Sequence, residues 1–173
     1  MSSPAYAQAA SDRDLSPRET AGPASVTALS VLVGGHPYLI NVMSVREIRG
    51  WTQPAPLPGC PAWVEGMCDL RGNVIPVSSM VSRLGLEPVQ GLPTVTVVVE
   101  IHGRLLGVAV DAVCDLVSIA ADRFQPVPAA GGASARELLS AVVELEGRVF
   151  GLVDFDQLNP IEALADADSG GAH

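Results

Sequence analysis

Between residues 26 and 159 the chain repeats one hydropathy pattern four times: an apolar run, a turn centred on glycine, and a second apolar run. The units are Leu29 to Val33, Gly34-Gly35-His36 and Pro37 to Val42; then Met67 to Leu70, Arg71-Gly72-Asn73 and Val74 to Val77. Two more follow: Val95 to Ile101, His102-Gly103 and Arg104 to Val110; then Val142 to Leu145, Glu146-Gly147 and Arg148 to Val153. Glycine supplies the positive φ that tight hairpin turns require, so each unit predicts a β-hairpin. The last two units share the pattern E-x-x-G-R. Eight or more strands in roughly 135 residues, with little helix between them, predict small closed antiparallel barrels and not a doubly wound sheet.

Helix signals are few. Ser78 to Leu84, stopped by Gly85, predicts one or two turns with Met80, Val81 and Leu84 toward the core. Pro54, Pro56, Pro58 and Pro61 forbid regular structure and predict an extended strap. Pro126 to Ala135, with Gly131-Gly132, reads as a mobile loop. Residues 1–25 show no apolar period and read as a disordered arm; after Pro160 a short helix, Ile161 to Ala165, is expected before a frayed end.

Composition narrows the function. Of 173 residues, 48% are hydrophobic and 17% charged, while aromatics reach only 4%, so the apolar excess is aliphatic. The net charge of -9, with no basic cluster, opposes nucleic acid as a partner. No apolar run reaches the ~18 residues of a membrane span, and the first 25 residues lack a secretory pattern, so no direct membrane insertion and a cytoplasmic location are expected. Cys60, Cys68 and Cys114 are odd in number and wrongly spaced for a CxxC pair, which predicts buried, reduced thiols.

Catalytic templates are missing: no G-x-S-x-G, no phosphate loop and no H-E-x-x-H. His36 and His102 fall in predicted turns, and Asp111, Asp115, Asp154 and Asp156 follow strand ends, where carboxylates accept backbone N–H groups. No catalytic residue, cofactor or metal is expected; the competing reading puts Asp111, Asp154 and a histidine in a hydrolytic or metal site. Arg71, at a hairpin tip, presents a fork of donors for a carboxylate, and Glu47 is the acid expected to answer it. An exposed pair adds ~0 to 1 kcal/mol to folding, so its use would lie in fixing two loops as a docking surface.

The run Val45-Arg46-Glu47-Ile48-Arg49-Gly50, the proline strap, Val64-Glu65-Gly66, Asp69-Leu70-Arg71-Gly72 and Val74-Ile75-Pro76-Val77 resembles the CheW-like family of bacterial chemotaxis coupling proteins. Gly107 to Val113 and the last hairpin, ending Leu152-Val153-Asp154, continue the likeness. The resemblance implies a mainly β fold: two intertwined five-stranded SH3-like barrels with a few short helices. It implies a domain over 26–159, the first barrel mainly from 35–88 and the second from 89–158 plus the strand 26–34. The function implied is that of a non-enzymatic adaptor, recruited to membrane-associated receptor arrays. It would join the cytoplasmic tip of a chemoreceptor (a methyl-accepting chemotaxis protein) to the regulatory domain of a histidine kinase. Carried over by position, Val42, Val45, Ile48 and Val113 line a receptor-binding groove, and Glu47 and Arg71 hold its polar edge. Kinase contact would use barrel ends outside that groove. The chain departs from the family at Asp69, where Asn is common, and at Ser78-Ser79, where Asp is common. The extra carboxylate at 69 is expected to compete with Glu47 for Arg71. Such departures leave open a second role, as a competitor or regulator of another coupling protein in a pilus-motility or other chemosensory-like system.

Overall fold

In a computed structural model of the chain, residues 24–89, 91, 93–129 and 137–155 are described. Among the described residues ten strands form: β1 (Ser25–Val33), β2 (His36–Asn41), β3 (Val45–Gly50), β4 (Val64–Leu70), β5 (Asn73–Ser79), β6 (Val95–Ile101), β7 (Arg104–Val110), β8 (Ala112–Ala120), β9 (Leu139–Leu145) and β10 (Arg148–Val153). All four expected hairpins are present, as β1-β2, β4-β5, β6-β7 and β9-β10. Their loops have two residues, both at positive φ: Gly34-Gly35, Arg71-Gly72, His102-Gly103 and Glu146-Gly147. That is the turn whose twist matches two antiparallel strands. His36 and Asn73 therefore open strands instead of sitting in turns, and of the two histidines only His102 keeps its expected place.

The strands form two five-stranded sheets, β8-β1-β2-β10-β9 and β3-β6-β7-β5-β4. We call these the terminal and central barrels. The expected partition of the chain is corrected here. The hairpin β6-β7, assigned from sequence to the second barrel, pairs with β3 and β5 in the central one, and β2 stays with β1 in the terminal one. The physical reason is burial on both faces. Along β6, Val97, Val99 and Ile101 enter the cluster shared by the barrels while Val98 enters the central barrel's own cluster with Leu70 and Ile75. A strand buried on both faces has no water for its backbone N–H and C=O groups, so both of its edges are paired with other strands. Likewise β1 sends Leu29, Val31 and Val33 into the shared cluster and Ala28 into the terminal barrel, with Leu39, Ile119 and Val143.

The two barrels repeat each other through a circular permutation. In order, β3, β4, β5, β6 and β7 correspond to β8, β9, β10, β1 and β2, and each sheet carries one parallel join, β5-β7 or β2-β10. Pairing registers agree residue by residue: Ile48↔Val97 with Leu116↔Leu29, and Val45↔Val99 with Val113↔Val31. Closure is repeated too. After β3 the proline strap bends back so that Ala55 exchanges two 2.8 Å hydrogen bonds with Met67 of β4. After β8, Gln125 makes the same bridge to Val142 of β9. The sequence likeness of the third and fourth hairpins does not follow this repeat, which matches the third to the first and the fourth to the second.

The helix reduces to one turn, α1 (Met80–Arg83), because Ser78 and Ser79 are consumed by β5. Ser79 caps it by accepting a bond from Ser82 N, and Gly85 (φ 70°) ends it with Leu86 N donating to Val81 O. Met80 and Leu84 are buried as expected. The expected terminal helix, nearly all of the arm and residues 130–135 of the expected loop lie outside the described residues.

Candidate functional site at the barrel seam

The short turn Val42–Ser44 carries the chain from the terminal barrel into the central one and lies against β1 and β6. Asn41 caps it, its Oδ1 accepting from Met43 N at 2.9 Å. Val42 is half-buried there, and Met43 beside it is 79% exposed. Just beyond, β3 carries a bulge: Val45 pairs with Val99 and Glu47 with Val98, so Arg46 is the extra residue. The bulge turns Val45 and Ile48, three apart, to one face, since their partners Val99 and Val97 both enter the shared cluster. Val45 is half-buried against that cluster, and Ile48 is 49% exposed. Glu47 takes the opposite face. Val113, on β8, also packs half-buried against the shared cluster. The expected groove residues Val45 and Val113 thus border one apolar mass from different barrels; Val42 is not packed in it.

The expected contact between Glu47 and Arg71 forms. Arg71 Nη2 donates to Glu47 Oε1 at 2.6 Å, and Arg49 Nε stands 3.8 Å from Glu47 Oε2. β3 and β4 are the two ends of their sheet, so this pair ties the central barrel's own edges across the gap between them, where a cleft of about 270 Å³ is lined by residues including Arg49, Cys68, Asp69 and Val98. Asp69 does not compete for Arg71, contrary to expectation. Its Oδ1 accepts a 2.8 Å bond from Gly72 N, bracing the turn that presents the guanidinium. Glu144 does the same for Gly147 at 2.8 Å, so the shared acid-x-x-Gly spacing is turn chemistry. In Glu100 the like-placed acid instead accepts from Arg46 Nε at 2.7 Å.

With Arg71 72% exposed, its pair adds little to stability: Arg71→Ala is expected to cost below about 1 kcal/mol in urea unfolding. The same change should weaken partner binding at least about tenfold, because a charge-assisted bond presented at an interface is worth more than one in solvent. A stability loss as large as the binding loss would make the pair structural.

The competing hydrolytic site does not assemble. Asp111, 3% exposed, accepts from Gly35 N at 2.9 Å, while Asp154 lines a pocket with Asn41 and His102. Gly35 and Asn41 stand at opposite ends of β2, ~17 to 20 Å apart for a strand of that length. Among the described residues no three of His, Cys, Asp and Glu cluster to hold a metal ion. Asp115 lies within β8 instead of after a strand, and Asp156 is outside the described residues. The thiols are free but less buried than expected: Cys114 is exposed, and Cys60 and Cys68 are half-buried. Burial pushes the Cys68 thiol pKa up, Arg49 draws it down and Asp69 adds to the rise, which keeps it protonated near neutrality. Among the described residues no helix is long and apolar enough to cross a membrane.

Sequence reasoning missed two exposed apolar residues beside this surface, Met43 and Leu116. The signal for Leu116 was its spacing, three after Val113 as Ile48 is three after Val45.

The chain belongs to the CheW-like family, whose family model, described as CheW-like domain, matches residues 27–161. It is thus a chemotaxis scaffold of the CheW type. A chemotaxis protein CheW of Rhizobium meliloti is 38% identical over 133 residues, covering 75% of this chain and 84% of that one. The chemotaxis protein CheW of Klebsiella aerogenes is 30% identical over 138 residues, covering 79% and 83%. The crystal structure of the scaffolding protein TtCheW from Thermoanaerobacter tengcongensis superposes with a TM-score of 0.69 at 20% identity, over 76% of this chain and 90% of that one, and so supports the fold.

Proposed function

We propose that the chain is a non-enzymatic, cytoplasmic coupling adaptor that holds a chemoreceptor's cytoplasmic tip at the barrel seam and a histidine kinase regulatory domain on a separate surface. The observation that carries this is the packing of Val45 and Val113, from different barrels, against one shared cluster, with Ile48 half-exposed on Val45's face of β3 and the Glu47 to Arg71 pair on the other face. β-branched side chains on rigid strands offer a helix an ordered apolar floor at little entropic cost, and a charged rim sets its register. Family membership supports the scaffold role. A receptor anchored in the membrane would bring the adaptor to the membrane face without any insertion of its own.

Titration of the full chain with a soluble receptor tip fragment, and separately with the kinase regulatory domain, tests the proposal. Both should bind, and both at once. Mutual exclusion would point to the competitor role instead.

A further inference from the structure

Because the barrels repeat each other, each core position of the central barrel has a counterpart in the terminal one. Arg49 and Thr96 are cross-strand partners in β3 and β6, which puts their side chains on one face. Their counterparts, Val117 and Ala28, are partners in β8 and β1 and pack in the terminal barrel's core. A guanidinium and a hydroxyl therefore stand where the other barrel has two apolar side chains. Elsewhere around the central lumen smaller residues take the place of larger ones: Gly107 stands for Leu39, Ile75 for Phe150 and Val77 for Leu152. A Cβ on Gly107 would lie 3.1 Å from Thr96 Cγ2 and 3.3 Å from Val77 Cγ2, and both residues line the 270 Å³ cleft between β3 and β4. The central barrel thus keeps a space with a polar end where its twin has core side chains.

Three groups on the cleft wall offer donors that nothing among the described residues takes up. Arg49 makes no hydrogen bond there: its Nε stands 3.8 Å from Glu47 Oε2, and the other oxygen of Glu47 is held by Arg71. Thr96 is 7% exposed, and its hydroxyl has no hydrogen bond among the described residues, a costly state for a buried polar group unless something fills the cleft. Met67 spends its N–H and C=O on Ala55 across the gap; by strand alternation Asp69, two residues on, turns its own N–H and C=O to the same side, where no strand pairs with them. The Asp69 carboxylate is occupied by Gly72 N. Beside these donors the wall is aliphatic, with Leu70, Val77 and Val98. We propose that the cleft of the central barrel is a small-molecule site for a short aliphatic carboxylate, held at its charged end by Arg49 and Thr96 and at its tail by Leu70, Val77 and Val98. A guanidinium and neutral donors select a carboxylate over an alcohol or an amine. The volume, just under the ~300 Å³ at which drug-sized sites begin, limits the tail to about four to six carbons.

The experiment is a calorimetric titration of the full chain with hexanoate, and with hexanol and hexylammonium as probes of the same length. Hexanoate should bind with a Kd on the order of 1 mM, and the other two at least about tenfold more weakly. From acetate to hexanoate the affinity should rise about fourfold per methylene, and in Val77→Leu that rise should stop about one carbon sooner. Arg49→Val should bind hexanoate no better than hexanol while keeping the wild-type urea midpoint. Cys68 lines the cleft and locates the ligand: in a chain carrying Cys60→Ser and Cys114→Ser, saturating hexanoate should slow its alkylation by iodoacetamide severalfold. No hexanoate binding by the wild-type chain at about ten times the expected Kd overturns the site. Equal affinity for hexanol overturns the assigned ligand, and an unchanged alkylation rate at Cys68 overturns the assigned place.

Discussion

Gly66→Val is expected to cost about 3 kcal/mol or more, enough to lower the urea midpoint of the whole domain. Gly66 lies in β4 at φ 146°, a conformation other residues rarely adopt, and a Cβ there would collide with the Ala55 carbonyl. That carbonyl accepts from Met67 N, one of the two bonds by which the proline strap closes the central barrel. The damage would therefore be specific: the strap must lift, and the cleft beside Arg49 and Cys68 widens. Amide exchange would show protection lost first at Met67. A midpoint unchanged from wild type would mean that the strap does not close the barrel.

Ile48→Asp is expected to carry the largest functional effect, a loss of receptor tip affinity of about a hundredfold or more, with stability within about 1 kcal/mol of wild type. Half-exposed in the free chain, Ile48 has little to lose on folding, but a carboxylate in its place would have to be desolvated beneath a helix. The same variant should bind the kinase regulatory domain normally. Parallel loss of both partners, or of the fold, would show that the residue supports structure and not the interface.

Much of this architecture is legible in the sequence because type I′ turns announce themselves. Gly after Gly34, Arg71, His102 and Glu146 marks each hairpin, and the alternation beside it fixes which face is buried. The allocation of hairpins to barrels is not legible in the same way. It depends on the parallel joins β5-β7 and β2-β10, which are long-range pairings between strands that look alike in hydropathy. The repeat is hidden for a related reason, since the second copy starts at β8 and ends with β1 and β2. Within the site, the Glu47 to Arg71 contact could be anticipated from charge, but the bulges could not. Arg46 and Cys114 are ordinary strand residues in sequence, and only the pairing register shows that each shifts its neighbours by one. That shift is what aligns Ile48 with Val45, and Leu116 with Val113. Asp69 shows the opposite case: a carboxylate next to an arginine in sequence is spent on a backbone N–H.

The most direct trial of the account is sedimentation of the kinase with vesicles bearing the receptor's cytoplasmic tip, with and without this chain. The kinase should move into the vesicle pellet when the wild-type chain is added and remain largely in the supernatant when Ile48→Asp replaces it. Equal recruitment by the two proteins, or less kinase in the pellet with the wild-type chain than without it, would contradict coupling through the seam.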